Sequence, residues 1–523
     1  MHKSNQIGII DVFAGPGGLG EGFTSFEAKP GFRPFRIGVS AEMERTAHAT
    51  LRLRAFLRLL REHDGDPTPK AYGEYLITVA LGQALPPEEH FGKGPLASVW
   101  ERAAAEVLNL TLGVTGDNKL LYERIEDARN NYGALVLIGG PPCQAYSLVG
   151  RARQTNVPGF HTKGDKKHFL YKEYLQILAR FSPDVFIMEN VRGILTSSVG
   201  GRNMFDRIRH DLAHPGRATG ISSKDGTAQE YVLLPIHVPV GTERDPKDVE
   251  YDPSGFLIRC EQHGVPQARH RIIVMGVRSN LVSKAKHAPT LEAVPEVSIA
   301  EALAGLPRLR SGLSRTADDG KQWARETEEQ RKRVIRSLGE THPEVSDVLE
   351  TTRINPSLPR KATHYSGEKT TFSLKLQSQE QEFVTSHETR GHMTSDLGRY
   401  LFVSAFGKTN KRSPSSSEFP RSLAPNHTNW DSGDFADRFR VQIEKDPAHT
   451  VTCHLSKDGH AFIHWDPSQC RSLTVREAAR VQTFPDDYIF LGNRTQQFVQ
   501  VGNAVPPLIA RQIASVVWAI LSS

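Results

Sequence analysis

The stretch LIGGPPCQAYS (137–147) sets Cys143, one of four cysteines in 523 residues, directly behind two glycines and two prolines. Proline fixes the backbone and removes an amide donor, so this thiol sits on a stiffened turn at the end of an apolar run. Taken by itself it is either a buried small hydrophobe, the usual place of a free cysteine, or a nucleophile. Other stretches have comparable chemistry. DVFAGPGGLG (11–20) is a glycine-rich turn behind an apolar run, and Glu42 ends the next apolar run about 20 residues on, the spacing at which an acid meets ribose hydroxyls. DVFIM (184–188) runs into Glu189 and Asn190. Just past Cys143, the segment 150–172 carries Arg151, Arg153, Lys163, Lys166, Lys167 and Lys172 against one acid, Asp165, and reads as a basic loop beside the thiol.

These groups need a frame that brings them together. Residues 7–13, 35–41, 134–138 and 184–188 read as strands, and the helical stretches between them argue for a parallel sheet covered on both faces. In such sheets ligands bind beyond the carboxyl ends of the strands, where the glycine turn, Glu42, Cys143 and Glu189 all fall. The fold class expected is α/β, a Rossmann-like doubly wound sheet with a smaller irregular domain. A catalytic domain is expected over 1–309, with an inserted helical subdomain at about 45–115. An irregular domain follows over 310–470, where stretches such as RYLFVSAFGKT and HAFIHW read as short β-prone pieces, and 471–523 returns to the first domain.

Composition narrows the function classes. Hydrophobic content of 38% and charged content of 24% describe a globular chain, and its length allows two or three domains. The cysteines form no paired framework and no CxxC or Cys/His cluster, which argues for a reducing compartment and against a metal site. The start lacks a secretory pattern. The apolar LIARQIASVVWAIL near the end holds Arg511 and Gln512 and reads as a helix packed on the core rather than a membrane anchor. A net charge of +6 mildly favours a polyanionic partner. Residues 310–470 hold 23 Lys and Arg against 22 Asp and Glu, so bulk charge does not mark that region as the nucleic-acid surface.

Six ordered segments together resemble one family, the DNA (cytosine-5)-methyltransferases of bacterial and phage type: DVFAGPGGLGEGF (11–23), GGPPCQAYS (139–147), MENVRG (188–193), GVPQARHRI (264–272), RSLTVREAARVQTFPD (471–486) and VGNAVPP (501–507). The resemblance implies a class I methyltransferase fold, S-adenosylmethionine as methyl donor and double-stranded DNA as substrate, with 310–470 as the target-recognition domain. Cys143 becomes the nucleophile that adds to C6 of a flipped-out cytosine. Glu189 would meet N3 and the exocyclic amine as a protonated acid. Arg271, supported by Arg269, would hold the O2 edge, and Gln267 would orient the segment. Phe13, Gly15, Gly17 and Gly18 would shape the methionine end of the cofactor, Glu42 its ribose, and Met43 and Asp117 its adenine. Gly140 and Pro142 would line the cofactor side of the cysteine turn, and Asn503, Ala504 and Val505 would close the pocket. Gln144, Ser147, Arg151, Arg153, Lys163, Lys166 and Lys167 would touch DNA. Arg476, Glu477 and Arg480 read as structural. Lys408, Asn410, Lys411, Arg412, Asn426 and Asn429 are polar groups of the kind that reach base edges. The setting implied is cytoplasmic and nucleoid-associated, a monomer on DNA, in restriction–modification or phage defence with a cognate subunit.

Three other readings stay open on sequence. They are a non-catalytic DNA-binding relative, against which the intact Cys143, Glu189 and Arg271 stand; an RNA cytosine methyltransferase of the same fold, since Pro-Pro-Cys occurs in that branch; and a Rossmann oxidoreductase, for which nothing downstream offers a hydride-transfer site.

Overall fold

The computed structural model describes residues 4–142, 168–199, 202–221, 230–237, 253–285, 288–339, 341–377, 381–425, 430 and 438–522. Its first strand, β1 (Ser4–Val12), is apolar on both faces. Ile7 and Ile9 enter one core, Ile10 and Val12 the other, so the strand can only be central. β2 (Phe35–Glu42) pairs with it in parallel, and β3 (Val107–Asn109) pairs in parallel with β2, Glu42 lying opposite Asn109. On the other side come β4 (Tyr132–Gly139) and β5 (Val185–Val191), again parallel. β6 (Tyr231–Leu234) and β7 (Leu257–Arg259) both pair with β8 (His270–Arg278), which is antiparallel to β5. The order is β3-β2-β1-β4-β5-β8-β6, with β7 also on β8. This is the α/β arrangement expected, with the antiparallel strands confined to one side.

Helices cover both faces. On one lie α1 (Gly18–Ser25) and, from the far end of the sequence, the apolar helix Pro507–Ser522. Its Ile509, Ile513 and Val517 share a core with Phe23 of α1, so this helix packs on the core as its sequence suggested. The stretch Arg494–Ser522 is long and apolar enough to cross a membrane by length and composition, yet most of it is buried. The residues Thr115–Asn131 and His168–Phe181 form the helices of the opposite face, through Leu121, Ile125, Tyr174 and Leu178.

The stretch 45–115 is not wholly an insertion. Helix α2 (Arg45–Asp64), α3 (Lys70–Leu81) and α4 (Ala97–Glu106) build a core around Phe56, Tyr75, Phe91 and Trp100 that Ile489 also enters, but 107–109 is β3, an integral strand of the sheet. Three residues among helices give no period from which to read a strand. Over 310–470 the β-prone reading of RYLFVSAFGKT is corrected: Thr394–Asn410 is an α-helix. Its residues from Tyr400 to Gly407 are all buried, and a helix buried all round shows the same unbroken apolar run as an interior strand. With Gly320–Leu338 and Pro343–Thr351 it encloses a core that contains Trp323, Phe402 and Phe439. HAFIHW contributes only isolated bridges, Ile463 to Val441 and to Ser472.

Candidate active site

The glycine turn owes its shape to residues that accept left-handed backbone. Gly15 has φ +58° and Gly17 +100°, and Phe13 itself lies at +55°. Gly15 donates its N–H to Glu42 Oε2 at 2.8 Å, and Glu42 Oε1 accepts from Glu44 N at 2.7 Å, so the acid that ends β2 is locked to the turn. Burial pushes the Glu42 carboxyl up from its usual range, against the pull of these N–H donors. A Cβ on Gly15 would meet nothing within 4 Å, so this side of the turn is open to a ligand.

Gly17 and Gly18 are glycines because the protein itself packs where a side chain would be. A Cβ on Gly17 would lie 2.5 Å from Leu51 Cδ1 and 3.0 Å from Tyr488 Oη, and one on Gly18 would lie 2.1 Å from Val505 O. Both are needed for close packing, and Gly18 is where the segment 503–505 seats on the turn. Ala504 and Val505 are buried there while Asn503 is exposed. Tyr488 donates its hydroxyl to Pro16 O, and Arg54, over the Tyr488 ring, bridges Glu21 and Asp487. The helices after β2 thereby brace the turn from behind.

Met43, 57% exposed, projects from the end of β2. Asp117 is a correction. It lies in the first turn of the helix Thr115–Asn131, and its Oδ2 accepts from Thr111 N at 2.8 Å to close the loop after β3. The residue at the carboxyl end of β3, beside Glu42, is Asn109. Its Nδ2 donates to Glu42 O at 2.8 Å and Met43 O at 3.2 Å. Sequence reasoning missed Asn109 because it missed β3; the available signal was a polar side chain closing the short apolar run VLN.

Next in the sheet, β4 delivers Gly139 opposite Val12, and the chain turns through Gly140, Pro141 and Pro142. A Cβ on Gly140 would come within 3.0 Å of Glu189 Oε2, so only glycine lets this carboxylate abut the turn. Asn190, 5% exposed, reaches Pro141 O through Nδ2 at 3.5 Å. Glu189 Oε1 pairs with Arg271 Nε at 2.9 Å, across the antiparallel ladder in which Arg271 faces Val191 and Ile273 faces Glu189. Cys143 follows this turn in sequence but, with Gln144, Ser147, Arg151, Arg153, Lys163, Lys166 and Lys167, lies outside the described residues, as do Asn426 and Asn429.

Arg269 does not support Arg271 at the base. It is 1% exposed and donates to Val451 O at 2.8 Å, Ala504 O at 2.9 Å and Gly502 O at 3.4 Å. Burial, with the Arg271 charge added, depresses its pKa to about 9. Residue 269 lies between the short pairing of Gln267–Ala268 with Ala448–His449 and the start of β8, so strand alternation does not carry it to the face of Arg271. Gln267 joins the same junction, its Nε2 donating to Val481 O at 3.0 Å and Gln482 Oε1 at 2.8 Å while its Oε1 accepts from Val451 N. Arg476, Glu477 and Arg480 are fully buried and bind their own neighbourhood. Arg471 holds Glu477 well below the carboxylate range although burial opposes it, and Arg480 pairs with Asp486 at 2.6 Å. Of the polar groups near 410, Arg412 is tied to Glu418 at 2.5 Å, and Asn410 and Lys411 bond to their own helix end.

The family model described as C-5 cytosine-specific DNA methylase matches residues 80–216 and 246–518. The type II methyltransferase M.Bpa9945I of Bacillus paralicheniformis is 30% identical over 519 residues, 97% of this chain and 98% of the relative. M.AgeI of Thalassovita gelatinovora, another type II methyltransferase, is 27% identical over 74% of this chain and 83% of its own. The DNA (cytosine-5-)-methyltransferase M.ApeKI of Aeropyrum pernix is 24% identical over 74% and 82%. A solved structure described as a DNA modification methyltransferase encoded within an E. coli prophage shares the fold, with a TM-score of 0.50 at 18% identity over 99% of this chain and 100% of that one.

Proposed function

This chain belongs to the C-5 cytosine-specific DNA methylase family and is a DNA (cytosine-5-)-methyltransferase, and from that premise we propose that it methylates a flipped-out cytosine of a specific duplex sequence through a covalent Cys143 adduct. The observation that carries the proposal is the Glu189–Arg271 pair set against the Gly140 turn, one strand from an open glycine turn locked to Glu42. The open side of Gly15, the buried acid at the end of β2, the exposed Met43 and the Asn109 amide fit S-adenosylmethionine, with Glu42 for the ribose and Met43 and Asn109 for the adenine. When bound, the cofactor supplies an electrophilic methyl to C5 of the base.

The chain's own residues do the rest. Cys143 as thiolate adds to C6, forming the S–C6 bond and making C5 nucleophilic. Glu189, as an acid, donates to N3 and accepts from the exocyclic amine, which stabilises the ring's negative charge as it develops. Arg271 holds O2 and leaves its pairing with Glu189 to do so. A water molecule takes the C5 proton, the S–C6 bond breaks, and Glu189 regains the N3 proton, which restores the thiolate and the aromatic ring. The region 310–470 reads the sequence. Its segment 448–451 is bonded directly to Gln267, Ala268 and Arg269, so a contact made there is felt at the strand that carries Arg271. The type II names of its relatives support a place in restriction–modification, working on DNA in the cytoplasm.

DNA bearing fluorine at C5 blocks the final proton loss. Enzyme, such DNA and S-adenosylmethionine should give a denaturant-stable adduct that Cys143→Ala abolishes while keeping its fold. An adduct that persists in Cys143→Ala means another nucleophile. Methyl transfer to tRNA but not to duplex DNA means the RNA branch.

A further inference from the structure

Behind the glycine turn, between β1, β2, α1 and α2, lies a cavity of about 20 Å³ that Asp11 and Ser40 help to line. Asp11 is 1% exposed, and neither carboxylate oxygen has a hydrogen-bond partner among the described residues. Its Oδ2 lies 3.0 Å from where a Cβ on Gly20 of α1 would be, so the carboxyl presses on the first turn of that helix. The volume suits one water, which needs polar partners on the wall.

The charges around Asp11 are already matched. From α1, Glu21 pairs with Arg54 of α2, and Arg54 also pairs with Asp487. Arg58 of α2 pairs with Glu106 of α4. Glu42 of β2 accepts from two backbone N–H groups, the Tyr488 hydroxyl is given to Pro16 O, and that of Tyr174, on the other face of the sheet, to Ile187 O. No cation among the described residues pairs with Asp11, while Glu42 and Glu106 add negative potential, and no group of three metal-ligating side chains exists among those residues. An isolated ionised carboxylate in such a place is far costlier than a proton.

We propose that Asp11 is a positioning residue that works as an uncharged acid, holding one internal water between β1, Ser40 and the first turn of α1 and so keeping the glycine turn seated beside Glu42. The part about cofactor affinity rests on the proposed cofactor site; the part about the proton does not. Burial raises the Asp11 carboxyl well above its usual range, in agreement. The stability this acid contributes is therefore full below the ordinary carboxylate range and is lost as pH rises through its raised value.

The test compares the whole protein with Asp11→Asn, a neutral isostere, and Asp11→Ala. In ligand-free denaturant titrations between about pH 5 and about pH 9, the unfolding constant of wild type relative to Asp11→Asn should rise about tenfold per pH unit while the acid stays neutral in the fold. A ratio that does not change with pH overturns the proposal, whether or not any ligand binds. With S-adenosylhomocysteine in calorimetry near pH 7, Asp11→Asn should bind within about threefold of wild type and Asp11→Ala about tenfold more weakly, since only the alanine loses the water's partner. An Asp11→Asn variant as weak as Asp11→Ala overturns the positioning role. If Asp11→Ala does not fold, a tenfold loss in Asp11→Asn alone does the same. Wild type that binds no S-adenosylhomocysteine overturns the cofactor site, and the pH ratio still decides the proton.

Discussion

At Glu189 the two carboxylate oxygens have different surroundings: Oε1 takes the Arg271 Nε–H, and Oε2 lies against Gly140, on the turn that leads to the thiol. Glu189→Gln keeps the shape and loses the acid. It should reduce methyl transfer by about 10²–10⁴-fold while duplex binding persists, and a variant within threefold of wild type would remove the acid from the mechanism. The two arginines of QARHR should separate in the same assays. Arg271→Ala should lose turnover with a near-normal melting temperature. Arg269→Ala leaves the carbonyls of Val451, Gly502 and Ala504 without their buried donor, at about 1–3 kcal/mol each, and should lower the melting temperature markedly. Equal melting temperatures for the two variants would show that Arg269 is no clamp. The motif made both arginines visible but not their division of labour, because that depends on the chain passing from a two-stranded sheet into the main sheet between residues 268 and 270.

Among the elements, the strands that carry the candidate site were legible because each is an apolar run closed by a glycine or an acid. β1, β2, β4 and β5 lie where those runs lie, with Glu42 ending β2 and Glu189 two residues inside the end of β5. β3 and the helix Thr394–Asn410 were not legible, the one too short for a period and the other too buried to show one. Asn109 was lost with β3. The seat of 503–505 on Gly18 was likewise hidden, since nothing in the local sequence names a partner so far along the chain. Gly18→Ala should force that seat open, with a Cβ 2.1 Å from Val505 O, and should weaken S-adenosylhomocysteine binding more than Gly15→Ala changes the packing; an unchanged affinity and melting temperature would place the contact elsewhere. The basic segment after Cys143 is testable without its structure. Neutralising Lys163, Lys166 and Lys167 together should flatten the log K against log salt plot by roughly one unit for each phosphate that these lysines neutralise, and an unchanged slope would mean that they do not meet DNA.

For the whole molecule, the interior of 310–470 is built on histidines held neutral. His387 is 1% exposed, donates Nε2–H to Pro307 O at 2.9 Å and meets the Thr474 hydroxyl at 3.0 Å; burial brings it down to about 4, and His392 is also well below its usual value. A histidine depressed in the fold contributes stability that is full above its ordinary value near 6.5 and is lost as pH falls towards 4, here of order 3 kcal/mol for His387. Thermal melts should therefore drop between about pH 6.5 and about pH 4.5, and His387→Gln, though less stable at neutral pH, should drop less. Identical slopes would exclude this histidine. The packing of Gly18 against Val505 and of α1 against the helix Pro507–Ser522 has a consequence in time. The glycine turn leaves the ribosome long before the surface that completes it. During synthesis α1 waits with its apolar face uncovered, and contacts this distant in sequence form slowly. The proposed cofactor pocket therefore comes into being only after the segment 503–522 has been made, so chains ended before it should be inert and eagerly degraded rather than partly active.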